Sequence, residues 1–325
     1  MKIAVTGGTG FIGSQLVKYL VSEGHEIKVL VRKTSNTKIL KRLNVKLVIG
    51  DIRDRESVET LVNDVEVVYH VAAQVYKGSK DEFWSVNLHG TENMLKACLN
   101  KSINKFVHVS SVGVTGNVKT PPSNESDPYN PTFPYDRSKC EAEKLVLRYH
   151  LEHEMPVTIV RPAAVYGPGA FHWSRLYQAI QKGNFPFIGS MKNLIHLCYI
   201  DNLLQGIMLA TDKRESVGEI YIIGDEKPVT WVEHIKTIAE VLGVNPPTRH
   251  IPPSLMKVIV YLSEFKSWMF GGEPLITQRW LVEITKNFAY DITKAKKTLG
   301  YDPKISLKEG IIRTVEWYRQ NGLLS

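Results

Sequence analysis

The feature that most constrains this chain is a glycine-rich segment close to its start. Residues 6–13 read TGGTGFIG, between a short run of β-branched residues and an amphipathic helical pattern. At such a strand-to-helix junction Gly7 allows a tight turn, Gly10 lets the backbone approach a pyrophosphate, and Gly13 lets helix and strand pack closely. Phosphate is attracted by the free N–H groups and the positive dipole end of the helix. The segment predicts a dinucleotide-binding site, whereas a glycine-rich turn that serves geometry alone is the alternative.

The rest of the first half alternates short strand patterns with helical patterns. The predicted strands cover residues 2–6, 26–31, 45–49, 65–70, 105–110 and 157–161. The predicted crossover helices cover residues 10–23, 80–100 and 135–154. Several strands are apolar without alternation, as strands covered on both faces are. We therefore predict an α/β fold with a doubly wound parallel Rossmann sheet.

The pattern changes after residue 161. Residues 162–199 are rich in Gly, Pro and aromatics and predict loops, followed by a helix near 201–211 and a strand at 219–223. Capping-box sequences at 230–233 (TWVE) and 306–309 (SLKE) each open a helix. These signals predict a smaller, mostly helical C-terminal substrate lobe. We assign residues 162–199 and 226–284 to this lobe, and residues 1–161, 200–225 and parts of 285–325 to the Rossmann domain.

The end of the second predicted strand bears on the choice of nicotinamide cofactor. An acidic residue there hydrogen-bonds the ribose 2′-OH of NAD, whereas a basic residue accommodates the 2′-phosphate of NADP. This chain has Arg32 and Lys33 there, and the planar Arg32 fork suits phosphate. The sequence thus favours NADP, with NAD as the alternative. Asp51 and Ile52 follow the third strand and are placed to meet the adenine, although Asp51 can equally cap the next helix.

A catalytic pair is predicted at the start of the third helix. Tyr135 and Lys139 are four residues apart, so their side chains project from one helix face. A neighbouring ammonium favours the ionised form of a phenol, so Lys139 is expected to lower the Tyr135 pKa and also to hold the nicotinamide ribose. Ser111 lies just past a strand end, where its hydroxyl can bind the substrate oxygen that Tyr135 protonates. The alternatives are a helical Tyr with a surface Lys, and a serine pair, Ser110 and Ser111, that caps a loop.

Composition excludes several classes of protein. The formal net charge is +8, but Lys and Arg are scattered, so no nucleic-acid partner is predicted. The three cysteines have no CxxC or metal-ligand spacing, which predicts neither a metal site nor a disulfide framework. No signal peptide and no apolar run long enough to span a bilayer is found, so a cytoplasmic location is predicted. The sequence does not decide whether the chain forms a homodimer.

In this order, the glycine segment, Ser110 and Ser111, and the YxxxK pair resemble the extended short-chain dehydrogenase/reductase family, the NAD-dependent epimerase/dehydratase superfamily. Further matches lie at residues 70–73 (HVAA), 86–91 and 161–169 (RPAAVYGPG). The resemblance implies a Tyr–Lys–Ser catalytic set supported by Asn87. The cofactor-binding residues expected from the motifs and the resemblance are Gly7, Thr9, Gly10, Phe11, Ile12, Gly13, Arg32, Lys33, Asp51, Ile52, Val71, Ala72, Ala73, Ser110, Tyr135, Lys139, Pro162 and Val165.

Within that family, residues 193–202 and 290–301 look most like the branch of 3β-hydroxysteroid dehydrogenases, sterol-4-carboxylate dehydrogenases and dihydroflavonol reductases. We therefore expect an NAD(P)-dependent oxidoreductase acting on an alcohol or ketone of a fairly apolar small molecule. The residues expected around that substrate are Gln74, Tyr76, Phe133, Ala164, Tyr166, Phe171, His172 and Trp173. Core packing of the small lobe is the alternative for the aromatic members.

Two other functions stay open. A nucleotide-sugar 4-epimerase or dehydratase would use the same tyrosine chemistry. Such enzymes more usually place Asn after the Arg-Pro pair and an Arg-Asp pair where this chain has Ile195 and His196, although Arg175 or Arg279 can substitute as phosphate partners. A protein that only binds the dinucleotide is the third hypothesis. The complete Tyr135, Lys139 and Ser111 set argues against it, because a binder needs no proton relay.

Overall fold

The computed structural model describes residues 1–75, 78–99, 101–118, 120–272, 274 and 276–325. Its centre is a seven-stranded sheet in which every neighbouring pair is parallel. The strands of this sheet are β1 (Lys2–Thr6), β2 (Glu26–Val31), β3 (Val45–Ile49), β4 (Val67–His70), β5 (Lys105–Val109), β6 (Val157–Pro162) and β11 (Ile220–Ile223). Their spatial order is β3-β2-β1-β4-β5-β6-β11. The predicted doubly wound Rossmann sheet is confirmed.

Among the described residues, six shorter strands pair outside this sheet. They are β7 (Ala164–Tyr166), β8 (Phe187–Ile188), β9 (Leu194–Ile195), β10 (Leu197–Tyr199), β12 (Val229–Thr230) and β13 (His250–Ile251). The pairs are β7 with β10, β9 with β12, and β8 with β13. Four of them, β7 to β10, lie between residues 162 and 199, where the sequence predicted loops.

The helices alternate with the strands and then dominate the C-terminal half. They are α1 (Phe11–Ser22), α2 (Arg55–Val62), α3 (Lys80–Phe83), α4 (Gly90–Leu99), α5 (Pro134–His153), α6 (Phe171–Gln181), α7 (Ile200–Asp212), α8 (Trp231–Leu242), α9 (Pro253–Phe270), α10 (Gln278–Thr285) and α11 (Leu307–Gln320). A π-helical turn, Trp84–His89, joins α3 to α4, so the helix predicted over residues 80–100 contains a bulge. The Thr230 and Ser306 hydroxyls accept the predicted capping bonds from the N–H groups of Glu233 and Glu309.

Helix α6 corrects the prediction of loops between residues 162 and 199. Its amphipathic pattern buries Ser174, Tyr177 and Ile180 on one face. A segment rich in Gly and Pro precedes it, and that composition hid the periodicity of the helix. The correction matters for the site, because three of the expected substrate residues lie in the first turn of α6.

Two hydrophobic clusters cover the two faces of the sheet. One contains apolar residues of α1 and α7 and continues into α6, α8, α10 and α11, so the C-terminal elements share a core with the sheet. The other packs α2, α4 and α5 on the opposite face. Because all seven strands are parallel, their carboxyl ends meet at one edge, where ligands bind in open α/β folds. Within the part of the chain described, no helix is long and apolar enough to cross a membrane.

Candidate active site

The glycine segment packs so tightly that side chains are excluded. Gly7 has a φ of +72°, and a Cβ there would lie 2.7 Å from the Ala72 backbone nitrogen. A Cβ on Gly13 would lie 2.2 Å from the Gly7 carbonyl oxygen. The turn thus sits directly against the loop that follows β4. Gly7 and Gly13 are required for the two close approaches that the spacing predicted.

The N-terminus of α1 is open toward the same edge. Gly10 is its N-cap and supplies no side-chain cap, and the first turn carries no acidic residue. A helix end of this kind offers backbone N–H donors and a positive dipole end to an anion. The geometry of residues 7–13 therefore fits the pyrophosphate of a dinucleotide, with Thr9 exposed beside it and the backbones of Phe11 and Ile12 at the helix start.

Buried polar groups line the strand ends next to this turn. The Thr6 hydroxyl accepts hydrogen bonds from the backbone N–H groups of Val71 and Ala72, at 3.2 and 3.1 Å. It also lies 2.8 Å from His70 Nδ1. Nearby, the buried Ser110 hydroxyl, at the end of β5, has no hydrogen-bond partner among the described residues. A buried hydroxyl without a partner is costly, and a bound polar ligand would satisfy it.

The acidic and basic residues after β2 and β3 form one exposed cluster. Arg32 and Lys33 are exposed, and the charge of Arg32 contributes to a lowered pKa of Asp51. The main cause of that shift is Arg53, whose Nε and Nη2 donate to the two Asp51 carboxylate oxygens at 2.8 and 2.7 Å. Asp51 does not cap the next helix, because Asp54 accepts the N-cap bond of α2.

Other expected cofactor residues lie in strands or shortly after them. Ile52 is buried, and a Cβ on Gly90 would lie 2.9 Å from its side chain, so the Ile52 side chain packs into the core. Pro162 ends β6 beside β11. The Val165 carbonyl in β7 accepts a bond from Trp173 Nε1 at 2.9 Å. Ala73 is half-buried just after β4.

Tyr135 and Lys139 are both buried in the first turns of α5. Burial raises the pKa of Tyr135 to about 12, while Arg279 and a hydrogen bond with Ser111 act in the opposite direction. Lys139 is not the cation that acts most on the phenol. The predicted lowering of the tyrosine pKa by Lys139 is therefore wrong for this structure, because loss of water around the ring outweighs the nearby charges.

Lys139 makes a different set of contacts. Its Nζ donates to the Val109 carbonyl at 2.8 Å and lies 3.3 Å from His108 Nε2. Burial lowers the pKa of the ammonium to about 8, with the carboxylate of Glu143 working against that effect. His108 is itself fully buried and its pKa is held well below its usual value, so the imidazole stays neutral beneath the lysine. Sequence reasoning missed His108, because a His inside an apolar strand gives no local signal.

Asn87 connects the loop after β4 to helix α5. Its Oδ1 accepts from the Gln74 backbone N–H at 2.7 Å, and its Nδ2 donates to the Gln74 carbonyl and to the Ser138 hydroxyl at 3.0 and 2.9 Å. Asn87 lies in the π-helical turn and is almost completely buried. Asn87 therefore contacts α5 through Ser138, one residue before Lys139.

Arg279 lies at this site, although no sequence pattern indicated that it would lie beside Tyr135. Its guanidinium lies over the rings of Tyr135 and Phe133, with its carbon 5.1 and 5.5 Å from the ring centroids. It also donates to Asp136 Oδ1 at 3.3 Å and to Glu283 Oε1 at 2.9 Å. Helix α10 carries Arg279 to the start of α5 from 143 residues away in the chain. No short-range pattern records such a contact.

The expected substrate residues divide into two groups. Gln74 lies beside Asn87, and Phe133 lies beside Arg279. Ala164 is half-buried in β7, and its N–H donates to the His196 carbonyl. The ring of Phe83, which was not predicted, packs edge-on to Tyr135 at 6.4 Å. The rings of Phe83 and Phe133 form an apolar wall next to the Tyr135 phenol. Tyr76 lies outside the described residues.

The remaining aromatic candidates have other packing partners. Tyr166 is fully buried against Tyr199 and α11, and Trp173 packs on Trp231 and His234, so both belong to the core. Phe171 points outward against Trp317, and its side chain is 62% exposed. His172 lies 6.0 Å from the Phe11 ring, beside the glycine turn. Phe171 and His172 thus have different neighbours, because a helical turn spreads successive side chains over different faces.

Among the described residues, no group of three or more His, Cys, Asp or Glu side chains is arranged to hold a metal ion. The three cysteines are buried and unpaired.

Comparisons with known proteins agree with this geometry. The model of the NAD dependent epimerase/dehydratase family matches residues 3–224. Mouse short-chain dehydrogenase/reductase family 42E member 1 is 30% identical, over 98% of this chain and 88% of its own length. The 3-beta-hydroxysteroid dehydrogenase of Mycolicibacterium neoaurum is 26% identical, over 98% and 91%. The structure of UDP-glucuronic acid 4-epimerase from Bacillus cereus in complex with NAD is 25% identical and covers 99% of each chain, with a TM-score of 0.80. This chain belongs to the NAD dependent epimerase/dehydratase family, and it is an enzyme of the class that includes dehydrogenases, epimerases and dehydratases.

Proposed function

We propose that this enzyme transfers a hydride between a nicotinamide dinucleotide and an alcohol or ketone carbon of a fairly apolar substrate, with Tyr135 as general acid or base. The observation that carries the proposal is the surroundings of the Tyr135 phenol. The Ser111 hydroxyl and the guanidinium of Arg279, which both favour the ionised phenol, and the ring of Phe83 converge on it. A tyrosine used only for packing needs none of the first two.

The protonation state of Tyr135 suits ketone reduction. Because burial raises its pKa to about 12, the phenol is protonated at neutral pH and can donate to a substrate oxygen. The dinucleotide, when bound, supplies the hydride that the carbonyl carbon receives. Ser111 donates a second hydrogen bond to the same oxygen, and Arg279 stabilises the phenolate that proton transfer leaves behind. Alcohol oxidation runs the same proton step in reverse.

The residues that would hold the dinucleotide follow from the strand ends. The glycine turn and the start of α1 receive the pyrophosphate, the Ser110 hydroxyl faces the bound group, and Lys139 holds the nicotinamide ribose. We propose NADP over NAD, because Arg32 and Lys33 are exposed where the 2′-phosphate would lie and no acid takes the NAD-type position. NAD stays the alternative, since the Bacillus cereus relative is described with NAD.

An apolar substrate is favoured by the state of Arg279. Nucleotide-sugar diphosphates need cationic partners, but Arg279 already pairs with Asp136 and Glu283. The half-buried ring of Phe133 and the buried ring of Phe83 make the surroundings of the phenol apolar instead. The similarity to a 3-beta-hydroxysteroid dehydrogenase supports the same class of substrate.

A nucleotide-sugar 4-epimerase is the second candidate. One observation favours it: the likeness to UDP-glucuronic acid 4-epimerase extends over 99% of both chains. In that reaction Tyr135 would take a proton from the C4 hydroxyl and return it on reprotonation. The two candidates differ in whether Arg279 leaves its carboxylates to bind phosphate.

The proposal is tested with a panel of hydrophobic ketones and NADPH, and with calorimetric titration of a UDP-sugar in the presence of cofactor. We expect ketone reduction and weak UDP-sugar binding. Micromolar UDP-sugar binding, with affinity lost in Arg279→Leu, would replace the reductase with the epimerase.

Tyr135→Phe tests the role of the phenol in either reaction. Turnover should fall by at least about a hundredfold, the contribution typical of a general acid, while cofactor affinity is retained. Tyr177→Phe is the matched control, because it removes a buried hydroxyl that has no hydrogen-bond partner among the described residues. A loss of less than tenfold in Tyr135→Phe removes Tyr135 as the proton donor.

Arg32→Asp tests the choice of cofactor. Replacing a phosphate partner by a carboxylate should weaken NADPH binding by about ten- to a hundredfold, as expected for about 1.5–3 kcal/mol per charge-assisted contact, and should favour NADH. Arg42→Asp is a control of equal charge change, since Arg42 lies in the short 3₁₀ turn Leu40–Arg42. Equal affinities of the unaltered enzyme for NADH and NADPH contradict the assignment.

A further inference from the structure

Helix α9 exposes a large apolar surface. Half of the exposed large hydrophobic side chains among the described residues lie on this one helix. They are Leu255, Val258, Tyr261, Leu262, Phe265, Trp268, Met269 and Phe270. The most exposed is Trp268, at 80%. Contiguous surface of this kind on a folded protein marks an interaction site.

The exposed residues form one continuous stripe. Residues 255, 258, 262, 265 and 269 recur at intervals of three and four, so they share one side of the helix. The opposite side holds the buried Met256 and Val260, and Ser263 there accepts a bond from the Ile276 N–H. That inner side packs against α10. The outer stripe is therefore a second apolar face that the fold leaves uncovered.

Lysines border the stripe on both edges. With a rotation of about 100° per residue, Lys257 lies next to Tyr261 and Trp268 on one edge, and Lys266 next to Leu262 on the other. Both lysines are exposed. The one carboxylate of the helix, Glu264, is turned to the inner side, where it accepts a bond from the Gln278 N–H. The uncovered face thus combines apolar and aromatic side chains with positive edges, on a chain whose formal net charge is +8.

We propose that the outer face of α9 docks on an anionic lipid bilayer, with the helix lying in the plane of the interface. Apolar side chains enter the boundary of the acyl chains, aromatic rings sit at headgroup level, and flanking lysines meet anionic headgroups. The helix does not qualify as a membrane span, so it lies on the bilayer. Pairing with a second copy would place the lysines of one helix near those of the other, which disfavours that occupant.

The docked face lies one helix from the candidate active site. Helix α9 packs on α10, and α10 carries Arg279 to the Tyr135 ring. Docking would therefore bring the cleft close to a source of apolar substrate. Only this consequence rests on the proposed function; docking itself does not.

Co-sedimentation with lipid vesicles tests the proposal. The full chain is mixed with vesicles of phosphatidylcholine alone or with a quarter of phosphatidylglycerol. We expect binding to the anionic vesicles, and a loss of at least about a hundredfold in the double variant Phe265→Ser/Trp268→Ser, because each large side chain is worth about tenfold. Leu151→Ser is the control, since Leu151 is 81% exposed but lies on α5. Binding that survives in the double variant overturns the proposal.

Two further measurements keep the test independent of folding. Lys257→Gln/Lys266→Gln retains the apolar stripe and should lose about fivefold per lysine on anionic vesicles only. Brominated lipids should quench tryptophan fluorescence in the unaltered chain, and Trp268→Phe should bind normally without that quenching. Quenching that persists in Trp268→Phe assigns the contact to another surface.

A dimer that Phe265→Ser/Trp268→Ser converts to monomer, with no vesicle binding by the unaltered chain, assigns the face to a second copy instead. Turnover of a water-soluble ketone reports on the proposed function separately.

Discussion

Helix α5 carries two acidic residues that each pair with an arginine from elsewhere in the chain. The region around the Glu143–Arg161 pair is more buried than the region around the Asp136–Arg279 pair. Glu143 accepts from Arg161 of β6, with Nη2 to Oε2 at 2.7 Å, and both side chains are excluded from solvent. Tyr129 donates to the same carboxylate at 3.0 Å. Asp136, two turns earlier, meets Arg279 at a longer 3.3 Å, and the Arg279 side chain is 32% exposed.

The difference separates a contact that is closed to water from one that water reaches on one side. Breaking a fully buried ion pair leaves an uncompensated charge in the interior, so Arg161 and Glu143 hold α5 on the sheet in one arrangement. The second pair is exposed only on its Arg279 side, since the Asp136 side chain is buried, so it is held less firmly than the first pair. Arg279 can therefore respond to charge that develops on Tyr135, while the helix beneath it stays in place.

The largest expected effect concerns the buried pair. Glu143→Ala should lower the free energy of unfolding by about 3–5 kcal/mol, because it leaves Arg161 charged and buried without its partner. Urea denaturation followed by circular dichroism measures this. Glu141→Ala, which breaks an exposed pair with Lys144 on the same helix, should cost about 0.5 kcal/mol or less. Similar losses in the two variants would remove the distinction between the regions.

An intermediate effect is expected at Arg279, in the pH profile more than in stability. The guanidinium favours the ionised phenol, so Arg279→Leu raises the Tyr135 pKa further. The pH midpoint of alcohol oxidation, which needs the phenolate, should move upward by about one unit or more. Arg279→Lys keeps the charge and should retain most of the original midpoint. A midpoint that does not move in Arg279→Leu shows that Arg279 does not act on Tyr135.

The smallest effect is expected at Glu283, the second partner of Arg279. This pair lies one turn apart on α10, at 2.9 Å, with the Glu283 side chain 45% exposed. Glu283→Gln should change the free energy of unfolding by only about 0.3–0.5 kcal/mol. Thermal denaturation compared with the unaltered chain measures it. A loss above about 1 kcal/mol would mean that the open region is as firmly held as the buried one.

The sequence predicted well what depends on neighbours in the chain. A strand followed at once by TGGTGFIG has few folded solutions, because Gly7 needs a positive φ and Gly13 has no room for a Cβ. The alternation of strands and helices likewise predicted the sheet, since each crossover must return to a parallel strand. The error in the predicted elements came where a Gly- and Pro-rich composition concealed the periodicity of a helix. At α6, the preceding Gly and Pro residues concealed a helix that begins at Phe171.

By itself, the sequence determined the glycine turn, the parallel sheet and the spacing that puts Tyr135 and Lys139 on one helix face, because local conformation and periodicity encode each of them. Only the tertiary structure decided that burial raises the Tyr135 pKa, that Lys139 bonds to Val109, and that Arg279 lies over the phenol. The same holds for the uncovered face of α9. These properties depend on how much water is removed from a group and on which distant segments pack against it, and neither quantity is written in any short stretch of the chain.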